Sequence, residues 1–193
     1  MKIDLSVNVN EEIRGLISAM TAEAKIPPYA QFGHLGTHFD VMDKTFPLEN
    51  TERRGLLFDV SGVQGREIEE SDFDADRIAE NDFVVFYSGC LKKHGYATES
   101  YMHTDIELSD ALITALIEKK ISMIGVDFPG IRKQSEHVRA DKYCADHGVF
   151  VVENLANLDV LLNASRGGEF LVHTYPLSFE GLTGLPCRVI AEA

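Results

Sequence analysis

One short segment, His34-Leu35-Gly36-Thr37-His38-Phe39-Asp40, concentrates the coordinating chemistry of this chain. His38 and Asp40 are two residues apart, so in an extended strand both side chains leave by the same face. His34 and His38 would lie about 13 Å apart on a straight backbone, too far to share an ion. A helix would bring them together, but Gly36-Thr37 is poor helix sequence. A bend at Gly36, which tolerates backbone angles closed to other residues, would also fold His34 back toward His38 and Asp40. Two imidazoles and a carboxylate then suit a borderline divalent ion, zinc, with manganese as the harder choice. A hydrogen-bonded structural turn is the other reading of the same residues.

The elements that must hold this segment are legible from periodicity. Lys2 to Val9 alternates loosely and reads as a half-buried strand, and Glu11 to Lys25 follows at helical spacing until Pro27-Pro28 stops it. Leu56–Val60 is a short strand. Phe83–Tyr87 is a continuous apolar run, expected of a strand covered on both faces. Ser109 should cap a helix to Lys119, and Ile121–Val126 is a buried strand ending at Asp127. His137–His147 is a second helix closed by Gly148, with a strand at Val149–Val152 after it. Phe170–Tyr175 and Cys187–Ala191 are the last strands. Strands and helices alternate in the middle and strands gather at both ends, which predicts an α/β fold with a mixed sheet.

The chain has 193 residues, 45% of them hydrophobic and 25% charged, so a soluble globular chain forming one domain over residues 1–193 is expected. Thirty-one acidic residues against eighteen basic give a net charge of −13, which disfavours nucleic acid and anionic membrane as partners. Eight of the acids fall between Glu67 and Asp82, a stretch that reads as a solvated helix with loop flanks. Cys90, Cys144 and Cys187 are widely spaced, with no CxxC pair, and suggest neither disulfides nor a thiolate zinc site. No apolar run approaches a membrane span and the first residues lack a signal-peptide core, so the cytoplasm is the expected location.

The segment from His34 to Asp40 resembles the first seven positions of HxGTHxDxPxH, the signature of the cyclase family typified by bacterial kynurenine formamidase. Asp4-Leu5-Ser6 is similar to the family's DLS start, and Ser88-Gly89-Cys90 sits where members have a TGW-like turn. Gly125 to Gly130 resembles the GxDxPS segment and Glu153-Asn154-Leu155 the ENL motif. Tyr175-Pro176-Leu177 and Gly184 to Val189 are similar to the C-terminal PLK…GxPxR pattern. The resemblance implies a swivelling β/β/α domain with a mixed central sheet, assembled as a homodimer or homotetramer. It implies one or two divalent ions, zinc or manganese, that activate water to hydrolyse a C–N bond in a small amide- or formamide-like substrate. Carried over residue by residue, it makes His34, His38, Asp40 and Glu153 metal ligands.

Three positions depart from that pattern. Lys44 stands where the signature carries its catalytic histidine, and Met42 where it carries proline. The family's further ligand histidine, twelve residues before the ENL glutamate, is Asp141 here. Asp141 can still ligate and would shift preference toward manganese or magnesium. Lys44 beside a divalent ion should have a lowered pKa, and could serve as acid or base, stabilise an oxyanion or bind a substrate carboxylate. Thr37, Asp127 and His94 are candidates to face the substrate, although Asp127 reads equally well as the cap of a turn. Tyr101 and His103 share a loop like that of His94. His137, His147 and His173 read as structural or surface residues, and Cys90 as a buried thiol. The alternative to a hydrolase is a homologue that binds a small ligand or metal without turnover.

Overall fold

The computed structural model of the chain describes residues 1–24 and 32–193, and its strands sort their apolar residues into two layers. In chain order the elements are β1 (Lys2–Asp4), α1 (Glu11–Ala24), β2 (His38–Asp40), β3 (Glu52–Asp59), β4 (Phe83–Tyr87), α2 (Cys90–His94), α3 (Glu99–Met102) and α4 (Asp110–Glu118). Then follow β5 (Met123–Val126), α5 (His137–Asp146), β6 (Phe150–Glu153), α6 (Leu158–Ala164), β7 (Glu169–Pro176) and β8 (Gly184–Glu192). The fold is α/β, as expected. The helix stop expected at Lys25, before Pro27-Pro28, lies outside the described residues.

β3, β4, β5 and β6 run parallel, joined through the helices, and β2, β7 and β8 pair antiparallel at the ends of that block. Because β8 pairs with β7 along one edge and with β2 along the other, the order β8-β2-β6-β5-β4-β3-β7 closes on itself as a mixed barrel. β1 extends it beside the C-terminal half of β8. Closure leaves few unpaired strand edges, the feature of an open sheet that invites aggregation.

Successive residues of a strand point to opposite faces, and the two cores follow that rule. Phe39, Leu57, Phe83, Val85, Met123, Phe150, Val152 and Val189 fill the barrel. Leu56, Phe58, Val84, Phe86, Ile124, Val126 and Val151 face the other way, onto Leu112, Leu116, Ala140 and Cys144 of α4 and α5. The apolar run at Phe83–Phe86 is thus buried on both faces, as its composition requires. Ser109 caps α4 by accepting the Leu112 N–H at 3.1 Å. β1 is shorter than its sequence pattern predicts because the Asp4 carboxylate takes the Ser6 N–H at 3.0 Å and turns the chain.

The acidic stretch is the main correction. It forms two single 3₁₀ turns, Glu70–Asp72 and Ala75–Arg77, and no α-helix. Its carboxylates engage local partners instead: Asp72 accepts the Glu69 N–H and Asp82 the Ala79 N–H, each at 2.8 Å. Nor are all of them merely solvated. Arg66 pairs with Asp72, Arg54 with the buried Asp82, and the buried Arg132 with Glu67. No helix among the described residues is long and apolar enough to cross a membrane.

Candidate metal centre

Phe39 points into the barrel, so its neighbours His38 and Asp40 leave by the outer face. The antiparallel register sets His38 directly opposite Glu153 at the end of β6, while Val152 before it faces inward. α5 packs against β6 and brings His137 and Asp141, one helical turn apart on one face, to the same place. The bend expected at Gly36 is present, with φ +68°, and it returns His34 to the cluster. His34 Nδ1 lies 3.1 Å from His38 Nε2 and 3.2 Å from Asp40 Oδ1.

Two overlapping groups result, His34–His38–Asp40 and Asp40–His137–Asp141–Glu153, and the ligand atoms in each lie within 4.8 Å of one another. His137 Nε2 is 3.0 Å from Asp141 Oδ2 and 2.9 Å from Glu153 Oε1, and His38 Nε2 is 3.6 Å from Glu153 Oε2. Asp40 Oδ2 and Asp141 Oδ1 are buried with no hydrogen-bond partner. A buried carboxylate oxygen left bare costs heavily, and a divalent cation is the partner that this donor set fits.

Second contacts aim the imidazoles. His38 Nδ1 donates to the Gly36 carbonyl at 2.9 Å, which turns Nε2 inward, and His34 Nε2 meets the Thr183 hydroxyl at 3.0 Å, which turns Nδ1 inward. Asn154 donates to the same Gly36 carbonyl at 2.9 Å and accepts from the buried Tyr101 hydroxyl at 2.6 Å. Two glycines make room for the rings. A Cβ on Gly184 would stand 2.7 Å from His34 Cε1, and one on Gly130 2.7 Å from His137 Nδ1.

Crowding of three carboxylates in a dry site shapes their titration. Burial and the charge of Asp40 push Glu153 and Asp141 up. Burial acts against ionisation of Asp40 as well, but the neighbouring histidines outweigh it and hold Asp40 low. Burial lowers His38, whereas for His34 and His137 the facing carboxylates overcome burial and raise the pKa. Three carboxylates crowd against three imidazoles, of which burial holds His38 toward its neutral form, and a divalent cation would relieve the repulsion among the acids.

The structure brings together all five proposed ligands, His34, His38, Asp40, Asp141 and Glu153. It adds His137, which by sequence alone reads as a structural or surface residue. The overlooked signal was its position four residues before Asp141 on a helix already expected there. Lys44 pairs with acids outside the cluster. Its Nζ lies 2.7 Å from Asp146 and 3.4 Å from Asp43, and the pairing with Asp146 raises its pKa instead of lowering it. Thr37 is buried, donating to the Asn154 carbonyl at 2.7 Å and accepting the Val7 N–H at 2.9 Å. Asp127 caps the turn before α2, accepting from the Ser88 N–H and hydroxyl and the Gly89 N–H, while burial pushes its pKa up to about 6. His94 ends α2 half-buried and is not among the converging residues. Cys90 is a buried thiol whose pKa burial pushes up to about 11. A surface hollow of about 460 Å³ beside Lys2, Asp4, His173, Tyr175 and Ile190 contains none of the cluster.

Comparison with known proteins fits this geometry. A family described as "Putative cyclase" matches residues 3–133, a span holding His34, His38 and Asp40. No curated protein sequence matches the chain. A structure described as a potential metal-dependent hydrolase with cyclase activity is similar at TM-score 0.74 and 23% identity, covering 99% of this chain and 96% of its own. A predicted metal-dependent hydrolase from Bacillus stearothermophilus has TM-score 0.71 and 21% identity, covering 99% and 97%. Isatin hydrolase A from Labrenzia aggregata, bound to benzyl benzoate, has TM-score 0.75 and 19% identity, covering 99% and 93%. At these identities the likeness is one of fold.

Proposed function

This chain belongs to the cyclase family, and from that premise we propose that it is a divalent-metal-dependent hydrolase that cleaves a C–N bond in a small amide- or formamide-like substrate. The observation that carries the reading is the buried cluster with its unpartnered Asp40 and Asp141 oxygens. His34, His38, Asp40 and Glu153 would hold the ion, with Asp141 beside them. When bound, a divalent ion supplies Lewis acidity, which brings the pKa of water down toward about 7 and polarises a carbonyl.

The remaining work falls to the protein. The Gly36 carbonyl and the Thr183 hydroxyl fix the two imidazoles, so the donor geometry exists before substrate arrives. Burial of His38, Asp40, Asp141 and Glu153 keeps bulk water from these donors. Without the ion, burial and the charge of Asp40 raise the pKa of Glu153, and a bound cation would favour its ionised, ligating form. Hydrolase activity in the names of the structural neighbours supports the same reaction class.

The test is a panel of formamides, cyclic and linear amides and lactones, assayed with chelated and metal-reloaded protein. Hydrolysis restored by zinc or manganese and absent from His38→Ala is the expected result. No turnover of any compound by metal-loaded protein, with a ligand retained through purification, would make it a binding homologue.

A further inference from the structure

We infer that His137 is the imidazole of the centre's second metal position, whose donor set is harder than that of the first. The inference rests on reading the cluster as a metal centre. Asp40 belongs to both groups of converging atoms: its Oδ1 faces His34 and His38, and its buried Oδ2 has no hydrogen-bond partner. One carboxylate thus has an oxygen for each side. The first position offers two nitrogens and one oxygen, from His34, His38 and Asp40. The second offers one nitrogen, His137 Nε2, and carboxylates from Asp40, Asp141 and Glu153.

His137 reaches this place because the helix supplies it one turn before Asp141. An imidazole four residues N-terminal to a ligand lies on the same face, so the aspartate can keep its place while the nitrogen comes from the preceding turn. Gly130, at φ +87°, clears the space beside the ring, since a Cβ there would meet His137 Nδ1 at 2.7 Å. Asp141 Oδ1, buried and unpartnered, is the second independent sign that this side of the cluster is built for a cation and is more than an ion pair between His137 and two acids. The two donor sets differ in hardness. Two imidazoles and one carboxylate favour zinc, and three carboxylates with one imidazole favour manganese or magnesium.

Metal-free protein equilibrated with zinc and manganese together, then freed of excess ion and analysed for both metals, tests this directly. Wild type should retain about one zinc and one manganese per chain, and the manganese should show a perturbed electron paramagnetic resonance signal. His137→Ala should keep the zinc and bind manganese at least about 10-fold more weakly, with an unchanged circular dichroism spectrum. If His137→Ala does not fold, His137→Asn and Asp141→Asn are read in the same way. A variant that retains both ions at wild-type affinity would overturn the inference. So would a wild type that holds one ion, lost in His38→Ala and unaffected by His137→Ala, although the metal-centre reading would then stand. Retention of no ion by wild type would remove both.

Discussion

Lys44 stands where the related signature carries a histidine, and its surroundings decide what it can do there. Its ammonium sits 2.7 Å from Asp146 on α5, in an exposed network with Asp43 and Lys142. Such exposed pairs are screened by solvent and salt and hold their partners only weakly. Lys44→Met should therefore lower kcat/KM by less than about 10-fold, whereas removing a general acid or base costs about 10²–10⁴-fold. Steady-state kinetics on the variant separate the two, and a loss in the larger range would restore Lys44 to the reaction. His137 is the converse case. The fixed offset from Glu153 leads to Asp141 alone, although helical periodicity places His137 on the same face. The five other cluster residues were legible from motif and bend together. Thr37 was not separable from a substrate contact by residue type, because its ties to Val7 and Asn154 span distant parts of the chain.

At the scale of elements, β2 is only three residues long, yet it fixes the centre through register. Its partner β8 approaches so closely that a Cβ on Gly184 would stand 2.7 Å from the Gly33 carbonyl as well as from the His34 ring. Gly184→Ala should cost about 1–3 kcal/mol by overpacking and weaken metal retention at the His34 side, measured by thermal melts and metal analysis. Gly62→Ala, where nothing lies within 4 Å of the added atom, serves as the control and should change neither. A Gly184→Ala protein with wild-type stability and metal retention would contradict the packing account. The parallel strands and the helix caps were readable because their signals are local: Ser109 before α4, the apolar run of β4. The pairing of β7 with β8 that closes the barrel was not, since no local pattern records which edge a strand meets. The Glu67–Asp82 stretch misled for a related reason. As a run, its acids suggest one solvated face, and in the fold Arg54, Arg66 and Arg132 hold three of them, Asp82, Asp72 and Glu67, individually.

For the whole molecule, the net charge of −13 is mostly a solvated exterior, with a small buried share at the centre. That share has a thermodynamic signature. Glu153 is pushed up to about 8 and Asp141 to about 6, so between the ordinary carboxylate range and pH 8 the folded protein binds more protons than the unfolded chain. Stability of the metal-free protein should therefore fall as pH rises across that window. The raised pKa of His137 works in the same direction above its ordinary value. Each kcal/mol lost lowers Tm by about 2–4 °C in a chain of this size. Saturating divalent ion should abolish or reverse the slope, because protons and metal compete for the same oxygens. Thermal melts of chelated and metal-loaded protein from pH 5 to 8 would show this, and parallel slopes with and without metal would contradict it. The most direct test of the account is the metal content of protein purified without chelator and equilibrated with excess zinc and manganese. Wild type should hold about one ion per chain or more, with a sharp drop in His38→Ala. Content far below one ion in wild type, or no loss in His38→Ala, would contradict it.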